Sequence, residues 1–386
     1  MYEKIDQNYI IILLTVTAVA GIVILDQIKA TKDVHALINS EYIHSLQTRD
    51  KLKAKLKRKS IKPNLREVKG VYLTARSASS EEKLQEIIDL INSTQLNSVV
   101  IDIKHYTGKV LYDSDIELVN ELNLEENRLG DIEKIIDKLH QHDIYVIARQ
   151  SVFQDPALAE AKPRWALKNT EGRVWRNKNG ISWTNPSKKE VWDYNIKIAK
   201  EAVTLGFDEI NFDYVRFPSD GDTSRIRPKL TNEEKKEVIA SFFDYVNKEM
   251  KNEPARSSLD LFGMVMEREK GLRIGQKLKD TVEEVDYVYP MMYPSHYPPG
   301  HMGFSQPAKY PGKVLRNGLK QGSKYFEDSK AKLRPWIQAF GLSKNYGREK
   351  VQAQIRAVED YTDGGWLLWN ARNNYDKNKI VSSTDY

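Results

Sequence analysis

One stretch of this 386-residue chain combines side chains that could carry nucleophilic or acid–base chemistry. Residues 206–219 read GFDEINFDYVRFPS, and alternation along a predicted strand puts Asn211 and Asp213 on one face. A carboxylate beside an arginine and aromatic rings can stay ionised while partly dry, as attack at an anomeric carbon or stabilisation of an oxocarbenium ion requires. We therefore predict that Asp213 is catalytic and that Asn211 and Arg216 bind substrate. The alternative is a buried ion pair between Asp213 and Arg216 that only stabilises the rim of the fold.

Two neighbouring strands also contain charged residues. The second predicted strand ends in Ile-Asp-Ile-Lys, and alternation places Asp102 and Lys104 on the same face. The third predicted strand contains Arg149. We interpret all three as groups that orient substrate, although Asp102 could equally belong to a structural ion pair.

The last three strands end in residues suited to hydrogen bonding and stacking. The residues that we assign to substrate binding there are Tyr293, His296, Gln338 and Trp369. His296 and His301 could ligate a metal, but no carboxylate lies close to them in the sequence. The sequence therefore predicts no metal site.

A long segment after the third strand is rich in tryptophan. Residues 154–185 contain Trp165, Trp175 and Trp183, and Trp192 follows shortly afterwards. Tryptophans exposed on a loop over the mouth of a barrel would be platforms for the apolar faces of sugar rings, and we assign Trp175 to this role. Core packing of an inserted subdomain is the alternative, and it would account for at least half of these rings.

Eight short β-rich runs, several of them separated by amphipathic segments, must position these residues. The predicted strands are 70–74, 98–104, 144–152, 209–217, 259–266, 285–293, 334–340 and 365–370, and the predicted helices include 81–93, 131–142, 188–205 and 232–251. This alternation predicts a (β/α)8 TIM barrel, in which functional side chains collect at the carboxyl ends of the strands. A doubly wound open sheet is the alternative, but no glycine-rich dinucleotide turn follows the first strand.

The composition and the absence of certain motifs argue against several classes of protein. The chain has no cysteine, which excludes disulfide scaffolds, thiolate metal sites and cysteine nucleophiles. It lacks the GxxxxGK[ST], HExxH and GxSxG motifs, so kinase-type, zincin-type and serine-hydrolase chemistry lose their usual support. The net charge of +6 is concentrated in residues 26–69, whereas residues 70–386 are neutral. No nucleic-acid partner is therefore expected.

The amino-terminal region is typical of a membrane attachment. Residues 9–25 carry no charge, which meets the lower limit of roughly 17–25 residues for a spanning helix. We predict a transmembrane signal anchor over residues 1–25 and a basic helical stalk over residues 26–69. Residues 70–386 would then form the barrel of a single-pass cell-membrane protein, outside the cytoplasm. A cleaved signal peptide is the alternative, because Ala18-Val19-Ala20 resembles a cleavage site.

Four separated runs of the chain resemble one bacterial and archaeal family, described as a putative glycosyl hydrolase domain and formerly as a domain of unknown function. The runs are Val100–Lys104, Phe207–Pro218, Pro290–His296 and Pro335–Phe340, and the resemblance extends over roughly Lys69 to Ala371. It implies a TIM barrel and a carbohydrate substrate.

A more distant resemblance suggests catalytic residues. Residues 183–186 followed by 211–213 are similar to glycosyl-hydrolase-like lipoproteins that are distantly related to the alpha-amylase barrels. Those relatives carry an aspartate nucleophile at the end of strand four, where this chain has Asp213. In amylase-like barrels a glutamate at strand five is the general acid, which implies Glu267 here.

Hydrolysis of a glycosidic bond generally needs two carboxyl groups. Asp102 and Asp155 are alternatives to Glu267 for the second group. We predict a membrane-anchored glycoside hydrolase that acts on an extracytoplasmic or cell-envelope polysaccharide without a cofactor. Strands seven and eight end without a carboxylate, which keeps open a catalytically inactive glycan-binding barrel. A membrane-proximal scaffold that binds another protein is a third hypothesis.

Overall fold

The structure, a computed structural model, describes residues 62–341 and 346–380. The predicted anchor and residues 26–61 of the predicted stalk lie outside these ranges. Among the described residues, no helix combines the length and the apolar character that crossing a membrane requires.

The described chain forms a closed barrel of parallel strands. The strands are β1 (Val68–Leu73), β2 (Ser98–Lys104), β3 (Tyr145–Ser151), β4 (Glu209–Asp213), β5 (Arg256–Phe262), β6 (Tyr287–Met292), β7 (Lys332–Leu333), β8 (Trp336–Gln338) and β9 (Gly365–Trp369). Each pairs with its neighbour in parallel, β5 also pairs with β6, and β9 returns to β1. Because β7 and β8 are two halves of one strand position, the barrel is eight-stranded and the predicted (β/α)8 fold is confirmed.

The break in the seventh strand position has a simple local cause. The sequence predicts one strand over 334–340, but Pro335 lies between β7 and β8 and has no N–H to donate to a ladder. Its carbonyl still accepts a hydrogen bond from Leu367 N at 3.0 Å. The barrel wall therefore stays closed across the break.

Helices pack around the outside of the barrel. They are α1 (Ala75–Ser79), α2 (Glu81–Asn92), α3 (Glu117–Glu121), α4 (Ile132–Gln141), α5 (Pro156–Ala161), α6 (Lys189–Leu205), α7 (Asn232–Met250), α8 (Pro311–Gly322), α9 (Arg348–Glu359) and α10 (Lys377–Ile380). The four helices named from the sequence agree with α2, α4, α6 and α7 within one residue at each end.

Local capping explains where two of these helices begin or end. The capping box of Thr231 and Glu234 starts α7, with each side chain bonded to the other residue's backbone N–H. Gly206, in a left-handed conformation with φ 110°, ends α6 and lets the chain turn into β4. Gly206 therefore sets where the chain enters β4, and the end of β4 carries Asp213.

The amino-terminal pole of the barrel is filled by a buried polar network. Arg334 and Glu209 are both fully buried and form an ion pair at 3.0 Å. Tyr145 and Tyr289 donate their hydroxyls to Glu209, and Arg334 also donates to the carbonyl of Arg66 at 3.2 Å. The barrel is therefore packed at this pole, and the opposite pole, at the carboxyl ends of the strands, is where a site can form.

Candidate active site

Arg149 on β3 joins three aspartates on three other strands. Its Nη1 lies 2.6 Å from Oδ1 of Asp102 on β2, and its Nη2 donates to Oδ2 of Asp213 on β4. Its Nε lies 3.6 Å from Oδ2 of Asp260 on β5. All four residues are buried inside the barrel, towards the carboxyl ends of the strands. Asp102, Arg149 and Asp213 are therefore brought together as the sequence suggested, and Asp260 joins them.

Asp260 is the member of this cluster that the sequence analysis missed. It is 1 % exposed, and its Oδ1 accepts hydrogen bonds from Trp336 Nε1 at 2.9 Å and Asn211 Nδ2 at 3.0 Å. Burial and the negative charge of Asp213 raise the pKa of Asp260 well above its usual value, while Arg149 opposes the shift. The available signal was a single acid in the apolar run Leu259-Asp-Leu-Phe262, since an acid inside a buried strand needs a partner.

The prediction for strand five was misplaced by three to four residues. Strand β5 ends at Phe262, and residues Gly263–Glu267 form a 3₁₀ helix instead of continuing the strand. The side chain of Glu267 contacts His301, with Oε1 and Nε2 3.4 Å apart, and lies against Asn317 on α8. Burial raises the pKa of Glu267. The contacts of Glu267 are thus with the loop after β6 and with α8, whereas Arg149 pairs with Asp102, Asp213 and Asp260.

Asp213 is held from two sides. Besides the guanidinium of Arg149, it accepts a hydrogen bond at Oδ1 from the backbone N–H of Tyr214. Strand four was predicted to continue to Phe217, but it ends at Asp213 because Tyr214 adopts a left-handed backbone with φ 55°.

Arg216 does not pair with Asp213. Its guanidinium lies over the rings of Trp183 and Phe262, at 4.9 and 4.6 Å from their centroids. It also donates to the carbonyl of Phe217 at 3.1 Å. The alternative of an Asp213–Arg216 ion pair is therefore wrong. The Arg216 side chain, which we predict to bind substrate, is packed in an aromatic cage.

An aromatic wall borders the aspartate cluster. Tyr72 donates its hydroxyl to Asp102 Oδ2 at 2.5 Å, and its ring stacks on Trp369 at 4.0 Å. The guanidinium of Arg149 lies 5.0 Å from the Trp369 ring centroid. The Tyr293 ring lies 6.4 Å from Trp369 and 5.5 Å from the exposed His296 at the rim. Trp369, Tyr293 and His296 thus lie along one side of the candidate site.

Gln338 has a local structural task. It is 1 % exposed, its Oε1 accepts from the backbone N–H of Ser295, and its Nε2 donates to the carbonyl of Phe340. These bonds fix the loop that carries His296. Gln338 therefore contributes to the rim indirectly, by holding the loop that contains Ser295 and His296.

Lys104 does not share a face with Asp102, contrary to the sequence prediction. The pairing of β2 with β3 shifts register between Asp102 and Lys104, which turns Lys104 towards α5 and α6. Its ammonium lies 2.6 Å from Asp155 and 3.1 Å from Asn195, and the Lys104 and Asp155 side chains are both fully buried. Asp155 also caps α5 through Leu158 N, so this pair is structural and Asp155 is not the second carboxylate of the cluster.

The tryptophans after strand three are packed inside the protein. Trp165, Trp175 and Trp183 are 7 %, 3 % and 0 % exposed, so the prediction of an exposed platform at Trp175 is wrong. Trp175 donates its indole N–H to the carbonyl of Asp222 at 3.0 Å and so ties the segment to the loop after β4.

Residues 70–375 match the family model described as "Putative glycosyl hydrolase domain". The chain belongs to this family. The match covers the barrel from the third residue of β1 onward and all four residues of the Arg149 cluster, so the resemblance of the four runs to this family is confirmed. No curated protein sequence matches the chain significantly.

Two glycoside hydrolases of known structure share the fold of this chain. The glycoside hydrolase domain of PgaB (BpsB) from Bordetella bronchiseptica is 12 % identical with a TM-score of 0.57, and the alignment covers 80 % of this chain and 95 % of that one. A GH20 exo-β-N-acetylglucosaminidase from Vibrio harveyi is 12 % identical with a TM-score of 0.53, covering 83 % of this chain and 55 % of the enzyme. A hypothetical protein from Ruminiclostridium thermocellum ATCC 27405 is 38 % identical over 49 % of this chain and 96 % of that one, with a TM-score of 0.45.

Proposed function

We propose that this protein hydrolyses glycosidic bonds in a polysaccharide, with Asp213 as the nucleophile or the electrostatic stabiliser of the anomeric carbon. Membership of a glycosyl hydrolase family supports the reaction class. The observation that carries the site assignment is the convergence of Asp102, Asp213 and Asp260 on Arg149 inside the barrel. Two carboxyl groups in different environments are what glycoside hydrolysis requires.

Asp260 is our candidate for the second carboxyl group. Its raised pKa keeps it protonated at a pH where an ordinary aspartate is ionised, which is the state that a proton donor needs. Asp213 accepts hydrogen bonds from Arg149 and from Tyr214 N, an arrangement suited to a carboxylate that faces a developing positive charge. Glu267 was the sequence-based candidate, but its contacts are with His301 and α8.

The remaining residues of the site would bind and orient the sugar. The stacked pair of Tyr72 and Trp369 offers an apolar wall for a ring face. Asp102 is held by Tyr72 and Arg149 and can accept hydrogen bonds from substrate hydroxyls. His296 at the rim is suited to contacts with a neighbouring sugar unit. Its ring is still partly shielded from solvent, which lowers its pKa and favours the neutral imidazole.

One observation favours a second candidate function. Arg149 contacts all three aspartates, so much of their negative charge is balanced before any substrate arrives. A barrel that only binds glycans would tolerate such a balanced cluster. We therefore keep a catalytically inactive glycan-binding barrel as the alternative.

The deciding experiment compares the full chain with its Asp213→Asn variant on a panel of cell-envelope polysaccharides. We expect the wild type to release reducing ends and the variant to lose at least about 100-fold in rate, or roughly 2.7 kcal/mol of transition-state stabilisation. Asp363→Asn is the matched control, since the Asp363 side chain is 80 % exposed and pairs with Lys332. If neither wild type nor variant cleaves but both retain a glycan, the binding function replaces the enzymatic one.

We further propose that residues 1–25 anchor the protein in the cell membrane and that residues 26–69 form a stalk that holds the barrel outside the cytoplasm. The uncharged run over 9–25 and the basic composition of 26–69 support this topology. The test is alkaline extraction of the membrane fraction, together with protease treatment of intact protoplasts. A protein released by alkali, or a barrel protected from the protease, would contradict the proposed topology.

A further inference from the structure

The Tyr214 backbone is in a conformation that an aromatic residue rarely adopts. Its φ of 55° is one of five positive values at non-glycine residues in the described chain, and two of the other four are asparagine and one is aspartate. A left-handed backbone brings the Cβ of an L-residue close to the following carbonyl, which is costly for a bulky side chain. Such a residue persists only where the surrounding structure enforces it, and these positions cluster at functional sites.

The left-handed turn has a definite geometric result. In a continuing strand the N–H of Tyr214 would point towards a neighbouring strand, whereas here it donates to the side chain of the preceding residue, Asp213. The carbonyls of Asp213 and Tyr214 accept hydrogen bonds from Val152 N at 2.9 Å and Phe153 N at 3.3 Å. The backbone on either side of the turn is thus tied to the loop after β3.

The Tyr214 side chain supplies the second restraint. Its ring meets the fully buried Trp183 edge to face at 6.0 Å, and the Arg216 guanidinium lies 5.2 Å from its centroid. Arg216 in turn lies over Trp183 and Phe262. Four side chains, from the segment 154–185 and from the ends of β4 and β5, therefore pack against one another in an aromatic cage.

From this geometry we infer that Tyr214 is a positioning residue: its caged ring holds a left-handed turn whose N–H fixes the Asp213 carboxylate in its reactive orientation. This inference rests on the proposed function of Asp213 and deepens it. On this inference Arg216 and Trp183 hold Tyr214 in place and do not contact the sugar.

Four substitutions in the full chain separate the turn from the ring. Tyr214→Phe keeps both, so kcat should stay within about twofold of wild type. Tyr214→Gly and Tyr214→Ala remove the ring equally, but glycine adopts positive φ freely, so Gly should retain a kcat about fivefold higher than Ala. Tyr214→Val should be worst, with kcat down at least tenfold and KM changed less than threefold, because a β-branched residue resists this conformation. Tyr310→Val, at an exposed tyrosine outside the cage, is the matched control.

A second readout does not depend on activity. In protein labelled with ¹⁵N-tyrosine, the Tyr214 signal is assigned by its loss in Tyr214→Phe. Its amide proton signal should move upfield in Asp213→Asn, because the N–H donates to a carboxylate in the wild type and to a neutral amide in the variant. The inference would be overturned if the Tyr214 amide shift were the same in wild type and Asp213→Asn. It would also be overturned if the Gly, Ala and Val variants of an active enzyme had equal kcat values. An amide that responds to Asp213→Asn in a protein that cleaves no glycan would leave the turn in place and count against the proposed hydrolase function alone.

Discussion

Asp213 and Asp260 lie on adjacent strands and contact the same guanidinium, yet their surroundings differ. Asp213 receives the Nη2 of Arg149 and a backbone N–H, whereas Asp260 faces Arg149 Nε at 3.6 Å and is 1 % exposed beneath Trp336 and Asn211. Burial and the negative charge of Asp213 raise the pKa of Asp260, because a further negative charge is costly in a buried site. This difference is the basis for assigning one as the charged group and the other as the proton donor.

The first prediction concerns the pH dependence of Asp260. As a proton donor it must be protonated, so the wild-type rate should fall as the pH rises through its raised pKa. Asp260→Asn should lower the rate at least about 100-fold, or roughly 2.7 kcal/mol, and remove this alkaline fall. Measurement of kcat/KM from pH 4 to 9 checks it. An Asp260→Asn enzyme that keeps both its rate and its alkaline fall would show that another group donates the proton, and Glu267→Gln would then be the next variant to measure.

The same group should make the stability of the wild type fall with rising pH, as its rate does. Because the folded-state pKa of Asp260 lies above the unfolded value, its contribution to stability is complete below about pH 4 and is lost as the pH rises towards the folded pKa. Asn has no proton to lose, so the Tm of Asp260→Asn relative to wild type should rise between pH 4 and pH 8. Thermal unfolding at several pH values measures this difference. A relative Tm that falls with pH would mean that Asp260 is ionised in the folded protein.

Arg149 should be the most important single cation for the stability of the site. Arg149→Met leaves three buried aspartates without their shared partner, and breaking a buried pair in this way costs about 3–5 kcal/mol. Urea denaturation gives the change in the free energy of unfolding. Arg173→Met is the control, since the Arg173 side chain is 77 % exposed and its pair with Glu171 should contribute less than about 1 kcal/mol. Equal losses for the two variants would contradict the central role of Arg149.

Patterns with a strong physical cause were predictable from the sequence. The barrel and its main helices follow from the alternation of β-rich runs with amphipathic segments, and the predicted bounds of α2, α4, α6 and α7 agree with the structure within one residue. The clustering of Asp102 and Asp213 follows from the rule that the carboxyl ends of parallel strands meet at one pole. These features depend on short-range patterns, which a single sequence contains.

The errors arose where a local irregularity changed the direction of a side chain. The register shift between Asp102 and Lys104 turned Lys104 towards Asp155, and the left-handed Tyr214 ended β4 early. Neither event changes the hydrophobic pattern, since a bulge or a positive φ needs one residue only. Asp260 was missed for a related reason, because strand five begins and ends earlier than its apolar run indicates.

The buried pair of Lys104 and Asp155 offers a test of this structural assignment. Lys104→Met should lower the free energy of unfolding by about 3–5 kcal/mol because Asp155 is left buried without a partner. The double variant Lys104→Met/Asp155→Leu should recover most of this loss. Activity per folded molecule should change less than twofold in both, measured with the folded fraction from circular dichroism. A loss of kcat in the stable double variant would show that Lys104 contributes to activity, as the sequence predicts.

Two tryptophans that the sequence treats alike should behave differently. Trp369 is half-buried beside Tyr72 and Arg149, so Trp369→Ala should raise KM about tenfold, which corresponds to roughly 1.4 kcal/mol of binding. Trp175 is 3 % exposed and tied to the Asp222 carbonyl, so Trp175→Ala should instead cost about 3–5 kcal/mol of stability and leave KM unchanged below its lowered Tm. Steady-state kinetics at 20 °C together with thermal unfolding separate the two effects. A tenfold rise in KM for Trp175→Ala without a loss of stability would show that the segment 154–185 binds sugar. It would also count against Trp369 as the ring that stacks on the substrate.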